Sequence, residues 1–273
     1  MQKIDRLGWA AGLGFVSYGR RIGVRVNDPR VLARIESLLP PGWKASPSPV
    51  VGRLYSVFTG GEHPRAGVRR LHLSYANTLR IARTADLDAA LDAFESDLRL
   101  YVAERARRRV FVHAGVVAWR GRAIVIPGRS FSGKSRLVAA LVRAGATYYS
   151  DEYAVFDAQG RVHPFPAPLS LRGVDGERPT RHPAESLGDG PGTRPLPVGL
   201  VAVSEYRPGA RWRPRRLTPG QGVLALLAHT VPARERPAAA LAALQRAVLA
   251  ARVLKGRRGE ASEVADVLLG NAG

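Results

Sequence analysis

The sequence predicts an α/β protein with an α+β tendency, in which a mixed sheet carries a glycine-rich loop. Three observations lead to this fold class. First, residues 123–126 form an apolar strand, a loop over 128–135 follows it, and an apolar helical segment over 135–144 follows the loop. Second, the strand is the second arm of a tight hairpin whose first arm covers 110–119. Third, a long segment over 87–108 carries a single apolar stripe at helical spacing.

The N-terminal part, residues 1–85, is expected to be an α+β extension of a core that covers 86–273. It contains short runs of alternating apolar and polar residues and one helical segment between proline-containing turns. The predicted elements are a hairpin over 14–19 and 21–26, a short helix over 31–39, and strands over 51–59, 68–74 and 77–83. His63 in a turn and His72 in a strand are expected to be structural or solvated rather than catalytic.

The helix predicted over 87–108 has its apolar residues at spacings of four and three. These residues are Leu87, Leu91, Phe94, Leu98 and Tyr101. Aspartates at its start and arginines at its end suit the helix dipole, so the basic run 105–109 is expected to be a solvated helix end. The hairpin that follows turns at Arg120-Gly121. This antiparallel entry differs from the parallel wiring of common α/β domains and predicts a mixed sheet.

The loop after the hairpin has the pattern of a phosphate-binding loop. Residues 128–135 read G-x-x-x-x-G-K-S, in which glycines let backbone N–H groups surround an anion. The lysine of this pattern reaches the outer phosphates of a nucleotide, and the last hydroxyl can bind Mg²⁺. A helix that ends at Gly145 would hold the phosphates at its N-terminus. The residues predicted to bind the nucleotide are Gly128, Arg129, Ser130, Phe131, Ser132, Gly133, Lys134, Ser135 and Arg136.

Two adjacent carboxylates follow the next predicted strand, which covers 147–151. Asp151 and Glu152 stand one helix and one strand after the loop, where a phosphoryl-transfer site needs a carboxylate that binds Mg²⁺ or accepts a proton. The competing interpretation is a solvated turn. Because the apolar run 153–156 continues directly after the acids, a position in a cleft is favoured. The candidate Mg²⁺ ligands are therefore Ser135, Asp151 and Glu152.

The remaining elements are predicted from turn and capping signals. Thr218 followed by Pro219 marks a helix start. The predicted elements are a turn over 157–160, an extended segment over 162–171, a strand over 197–204, and helices over about 219–230, 237–254 and 262–269. The stretch 173–197, rich in glycine, proline and charge, is predicted to be a functional lid or a disordered segment. His229 is expected to pack or to lie exposed at a helix end.

The formal net charge of +20 favours anionic partners such as nucleotides, acidic proteins or phosphopeptides. Only four of the 42 basic residues are lysines, and the arginines are spread along the chain. This distribution indicates compositional bias as much as a binding patch, so a nucleic-acid partner is a rival expectation rather than the leading one.

The chain has no cysteine, which excludes disulfides and cysteine-based metal sites. No apolar stretch approaches the ~20 residues of a membrane-spanning helix, and no signal peptide is recognised. A cytoplasmic protein without membrane contact is therefore expected.

Four short motifs resemble, in order and spacing, the kinase domain of the HPr kinase/phosphorylase family. They are His113-Ala114-Gly115-Val116, Gly128 to Ser135, Ser150-Asp151-Glu152 and Leu171-Arg172-Gly173. The later part, through Pro195 to Gly199, resembles the broader group of HPr serine kinase-like enzymes. The resemblance implies a mixed-sheet P-loop kinase core of the kind also found in ATP-type phosphoenolpyruvate carboxykinase, which agrees with the predicted hairpin.

The resemblance implies an ATP- and Mg²⁺-dependent kinase that phosphorylates a hydroxyl. It implies that Lys134 holds the β- and γ-phosphates, that Ser135 binds Mg²⁺, and that Asp151 takes the proton of the acceptor hydroxyl. His113 matches the histidine beside the phosphates, and Arg172 would clamp an anionic substrate or the γ-phosphate. The best-known members are oligomers, so the resemblance leaves a homo-oligomer open.

Several residues depart from the family pattern. Glu152 stands where the family has a second Asp, Ser170 stands where it has an acid, and Arg129 and Phe131 are bulkier than the residues in its loop. Because of these departures, the resemblance does not extend to the family's reverse phosphorolysis, its number of metal ions or the identity of its acceptor. The acceptor is therefore left as a serine of a protein or peptide, or a small molecule, and an ATP-binding regulatory protein without transferase activity is the alternative function.

Overall fold

The computed structural model describes residues 3–61, 70–129, 132–171 and 180–272. It divides into two compact units, Met1–Arg107 and Arg108–Gly273. The strands are β1 (Ala11–Ser17), β2 (Arg20–Val26), β3 (Lys44–Ala45), β4 (Arg53–Phe58), β5 (His72–Ala76), β6 (Leu79–Thr84), β7 (Val110–Trp119), β8 (Arg122–Pro127), β9 (Thr147–Ser150), β10 (Tyr153–Phe156), β11 (Val162–His163), β12 (Leu169–Leu171), β13 (Thr180–His182), β14 (Val198–Tyr206), β15 (Arg215–Arg216) and β16 (Arg252–Arg258). The α-helices are α1 (Leu32–Glu36), α2 (Leu87–Arg105), α3 (Lys134–Arg143), α4 (Pro219–Leu227), α5 (Pro237–Leu249) and α6 (Ala261–Asn271). None of these helices is long and apolar enough to cross a membrane.

The first unit is a sheet in the order β3-β1-β2-β4-β5-β6 with α2 packed on it. The predicted β1–β2 hairpin is confirmed by antiparallel pairing along both strands. On α2, the buried Phe94 meets Tyr55 of β4 edge to face, with ring centroids 5.2 Å apart. The Ser74 hydroxyl of β5 donates to the carbonyl of Ala90 over 2.8 Å. The chain therefore divides after α2, whereas the sequence-based boundary at residue 85 placed this helix with the core.

The second unit contains a mixed sheet in the order β11-β10-β7-β8-β14-β16-β15, with β9 also paired to β7. The β7–β8 hairpin is antiparallel and turns at Arg120 and Gly121, whose φ values are +48° and +75°. Strands β8, β14 and β16 are mutually parallel. The predicted mixed sheet is therefore confirmed, and the glycine-rich loop leaves the carboxyl end of a strand that has one parallel and one antiparallel neighbour.

Helices cover both faces of this sheet. On one face, α4 and α5 pack against buried side chains of the sheet, and Leu226 and Leu244 are fully buried there. On the other face, α3 and α6 do the same through Leu137 and Leu268. The core of the second unit thus consists of two apolar layers with the sheet between them.

The predicted helix over 237–254 is wrong at its C-terminal end. Helix α5 stops at Leu249, and β16 follows it and pairs with β14 in parallel. Val253 and Leu254 are buried on opposite faces of the sheet. In the sequence, Val253 and Leu254 stand among basic residues, and this apolar run is too short to predict a strand. The alanine-rich segment before them also extends the helical pattern into it.

Part of the stretch predicted to be a lid or disordered, 173–179, lies outside the described residues. The described remainder is attached to the core through its backbone. Strand β13 pairs with β12, Pro191 forms a bridge with Tyr148, and Leu196 forms one with Val162. These pairings hold the described segment between β13 and β14 against the second unit.

Glycine at position 115 allows α3 to lie close to the middle of β7. A Cβ atom built there would be 2.5 Å from Val138 Cγ2 and 3.9 Å from the Cβ of Lys134. A distance of 2.5 Å does not occur between non-bonded carbon atoms, so any side chain here would push Val138 and α3 away from the sheet. The helix that begins at Lys134 is thereby seated directly over β7.

We predict that Gly115→Ala lowers the free energy of unfolding of the second unit by about 1–3 kcal/mol because of this overlap. Urea denaturation followed by circular dichroism measures the change. Gly220→Ala in α4 is the matched control, because a Cβ there meets nothing within 4 Å, and it is expected to be neutral or slightly stabilising. Equal stability of the two variants would contradict the close approach of α3.

Candidate phosphate-binding site

The loop between β8 and α3 closes on the backbone of β7. The Gly128 N–H donates to the carbonyl of His113 over 3.2 Å, and the Ser132 N–H donates to the carbonyl of Arg129 over 3.3 Å. Gly133 has a φ of +80° and begins α3 without a capping side-chain hydrogen bond. The N-cap residue of α3 thus has no side chain to engage the first N–H groups of the helix, which lie at the positive end of its dipole.

Lys134 spans this loop from its first helical position. Its ammonium donates to the carbonyl of Arg129 over 2.6 Å. Burial lowers the pKa of Lys134, and the carboxylates of Asp151 and Glu152 oppose that shift. The half-buried ammonium thus lies against the loop backbone, and the acids whose charges act on it are the pair predicted from the sequence.

Asp151 is buried and is fixed by groups from three elements. The Ser135 hydroxyl of α3 donates to Asp151 Oδ2 over 2.7 Å, and the Ser170 N–H of β12 lies 3.4 Å from the same oxygen. The Tyr148 hydroxyl lies 3.1 Å from Asp151 Oδ1 and 2.7 Å from the carbonyl of Ala167. Burial, aided by Asp151, raises the pKa of Tyr148 far above its usual range, so this hydroxyl stays protonated and donates.

The position of Asp151 follows from strand register. Strand β10 pairs Tyr153 with His113, and β9 pairs Ser150 with Val116, both in antiparallel fashion along β7. The Ala114 N–H donates to the carbonyl of Glu152 over 3.1 Å, so the pairing continues between the two strands. Asp151 therefore lies across from Gly115, which is the residue of β7 that α3 approaches most closely.

Ser135 and Asp151 are the described oxygen donors that could hold a divalent cation. Among the described residues, no group of three or more His, Asp or Glu side chains is arranged to bind a metal. A Mg²⁺ ion in a phosphoryl-transfer site needs only one or two protein oxygens, because phosphate oxygens and water supply the remaining ligands. The hydroxyl–carboxylate pair fits that requirement.

Two histidines lie near Lys134. His113 packs against Tyr153 with ring centroids 4.8 Å apart. Burial lowers the pKa of His113 below its usual 6.5, and Lys134 and His229 lower it further. Burial is also the main cause that lowers the pKa of His229, and the positive charges of Lys134 and Arg129 lower it further. Both imidazoles are therefore neutral at pH 7.

His229 and Arg258 are residues that the sequence did not assign to the site. The His229 carbonyl accepts a hydrogen bond of 2.8 Å from the His113 N–H, so the turn after α4 is attached to β7 beside the loop. Arg258, at the end of β16, donates from Nη2 to the carbonyl of Gly133 over 3.0 Å. No local pattern marks either residue, because each depends on a long-range strand contact.

The predicted site residues divide into three groups. Those brought together around Lys134 are Gly128, Arg129, Ser132, Gly133, Ser135, Asp151, Glu152 and His113. Arg136 is exposed on α3 and lines a cleft of about 320 Å³ together with Arg143, Leu171 and Glu260. Ser130, Phe131 and Arg172 lie outside the described residues.

Comparison with protein-family models and with curated proteins finds no match to this chain. The resemblance to the HPr kinase/phosphorylase family therefore stays a prediction from its motifs.

The histidines give a pH dependence that can be tested. Because the pKa values of His113 and His229 lie below 6.5 in the folded chain, the unfolded chain binds more protons as the pH falls below that value. We predict that the free energy of unfolding decreases as the pH falls below 6.5, by at most about 1.4 kcal/mol per pH unit for each histidine.

Urea titrations between pH 7.5 and 5 measure this slope. The double variant His113→Asn/His229→Asn is expected to flatten it, with a residual slope from His72, whose pKa burial also lowers. A double variant with the full slope of the original chain would contradict this origin of the pH dependence.

Proposed function

We propose that this protein is an ATP- and Mg²⁺-dependent kinase that transfers the γ-phosphoryl group to a hydroxyl. The acceptor is a serine of a protein or peptide, or a small molecule. One observation carries the proposal: the 2.7 Å hydrogen bond from the Ser135 hydroxyl to the buried Asp151 carboxylate. It joins a phosphate-binding loop to the acid that phosphoryl transfer requires.

The loop supplies the groups that would bind the phosphates. The backbone N–H groups at the start of α3 and the Lys134 ammonium are cations or donors suited to phosphate oxygens. The Ser132 hydroxyl is buried and has no hydrogen-bond partner among the described residues, so it is available to a ligand. This combination supports binding of a polyphosphate rather than of a single carboxylate.

Ser135 and Asp151 would hold Mg²⁺, with Glu152 as a further carboxylate close to Lys134. When bound, the ion neutralises charge on the phosphate oxygens. Asp151 would accept the proton of the acceptor hydroxyl, since it is the acid fixed at the loop. Its hydrogen bonds from Ser135 and Tyr148 keep the carboxylate oriented during that transfer.

The arrangement favours transfer over silent nucleotide binding. Asp151 lies in the bend between β9 and β10 and His113 lies on β7, yet the charge of Lys134 acts on His113 and that of Asp151 acts on Lys134. A regulatory protein that only binds ATP needs the lysine and the loop, but it does not need an acid and an imidazole on either side of them. Incubation with γ-labelled ATP and candidate acceptors, followed by detection of transferred label, tests the proposal.

We predict that Lys134→Ala weakens ATP binding by about tenfold to hundredfold, because a charge-assisted contact to the phosphates is lost. Isothermal titration calorimetry with ATP and Mg²⁺ measures the change. Lys44→Ala removes an equivalent ammonium from an exposed position in the first unit and is expected to bind ATP as the unaltered chain does. Tight ATP binding by Lys134→Ala would be incompatible with the loop assignment.

We predict that Asp151→Asn keeps ATP binding within a few-fold, while phosphoryl transfer falls about 10²–10⁴-fold, because the proton acceptor is lost. Transfer of label to the acceptor and ATP binding are measured on the same preparation. Full transfer by this variant would remove Asp151 from the proposed mechanism.

A further inference from the structure

Arg258 is a buried arginine at the same edge of the sheet as the phosphate-binding loop. It is the last residue of β16, is 2% exposed, and pairs with Tyr206 at the end of β14. Because β8, β14 and β16 are parallel, their carboxyl ends meet at one edge. In open α/β sheets, ligands bind outside the carboxyl ends of the strands. The side chain thus belongs to the edge where the nucleotide is proposed to bind.

Its guanidinium reaches the glycine that begins α3. Nη2 donates to the carbonyl of Gly133 over 3.0 Å, and Nη1 donates to the carbonyl of Gly259 over 3.1 Å. The Tyr206 ring lies under the guanidinium, 5.5 Å from Cζ. A Cβ atom on Gly133 would lie 2.7 Å from Nη2, so the second glycine of the loop motif and Arg258 occupy one tightly shared space.

Arg258 forms no ion pair with a carboxylate in the described part of the protein. Nε is buried without a hydrogen-bond partner, and no described carboxylate is within ion-pair distance of the guanidinium. Glu260 is the acid whose charge acts on it most, yet that carboxylate accepts a 2.7 Å hydrogen bond from the Tyr206 hydroxyl instead. A buried cation without an anion is costly, and apolar residues replace buried charges with little loss of stability. A role in packing alone therefore does not account for an arginine here.

We infer that Arg258 is a positioning residue of the phosphate site, which acts through Gly133 and whose charge is balanced when a phosphate chain occupies the loop. The inference rests on the proposed nucleotide binding. By fixing the Gly133 carbonyl, Arg258 fixes the plane of the peptide that leads into Lys134. The N–H groups that follow are then directed into the loop before any ligand arrives, which is how preorganised donors gain affinity.

The test compares Arg258→Met and Arg258→Lys with the unaltered chain. Met fills the space without charge or donors, and Lys keeps the charge without the planar fork that bonds two carbonyls. ATP with Mg²⁺ and tripolyphosphate are the probes, titrated calorimetrically, and the melting temperature of each free protein is recorded. Lys134→Ala serves as the reference for a lost phosphate contact.

We expect Arg258→Met to keep or raise the melting temperature of the free protein, while Kd for both probes rises about tenfold or more. Arg258→Lys is expected to fall between Met and the unaltered chain. If Kd rises by the same factor for tripolyphosphate as for ATP, the lost affinity belongs to contacts with the phosphates and not to contacts with the base. In the transfer assay, KM for ATP should rise while kcat changes little.

A folded Arg258→Met protein that binds both probes as tightly as the unaltered chain would overturn the inference and leave the proposed function intact. If Arg258→Met does not fold, Kd for both probes is compared between Arg258→Lys and the unaltered chain instead. Equal Kd values, with an unchanged melting temperature, would then overturn the inference. If the unaltered chain binds neither probe, the proposed function and the inference fail together.

A double-mutant cycle tests whether Arg258 acts through Gly133. Gly133→Ala alone displaces the guanidinium and strains the backbone at a φ of +80°. Because both changes disturb one contact, the rise in Kd of Gly133→Ala/Arg258→Met should be smaller than the product of the two single rises. Rises that multiply fully would show that Arg258 does not act through this glycine.

Discussion

The hydrogen bond between Ser135 and Asp151 is the interaction on which the candidate site depends, since it connects the first turn of α3 to the bend between β9 and β10. It requires α3 to lie against β7, which the absence of a side chain at Gly115 permits. It also requires Asp151 to lie across from that glycine, which the β9–β7–β10 register provides. Backbone pairing and one close helix–sheet approach thus set the distance between a hydroxyl and a carboxylate to 2.7 Å.

Electrostatics at this site come from burial as much as from formal charge. The chain carries a net charge of +20, but the cations that matter here are Lys134 and Arg258, both withdrawn from water. Two neutral histidines stand near the lysine instead of further positive charges. If an anion binds here as proposed, partial exclusion of water strengthens its attraction to these cations, and donors of fixed direction make the binding selective.

Much of the second unit could be predicted because its signals are local. The β7–β8 hairpin, the loop and the strand carrying Tyr153 follow from apolar runs, one turn and one motif, and their bounds agree closely with the structure. Residues whose role depends on distant pairing could not be predicted. His229 lies at the site because the neighbouring Thr230 forms a bridge with Val112, and Arg258 lies there because β16 pairs with β14. The sequence did not predict β16, since the alanine-rich helix before it extends the helical pattern. The structure divides after α2 and not at residue 85, and the sequence did not predict this because only tertiary contacts show which sheet α2 packs on.

Asp151 lies in the two-residue bend between β9 and β10, and both of its neighbours are attached to β7: Ser150 pairs with Val116, and the Glu152 carbonyl accepts a hydrogen bond from the Ala114 N–H. Moving this carboxylate would break those backbone contacts to β7. Under the proposed function, a different acceptor would therefore be accommodated by the connections around the sheet, such as the segment between β13 and β14, and not by movement of the acid. Surface connections tolerate substitutions better than the strands they join, so changes in those connections would leave the position of this carboxylate intact.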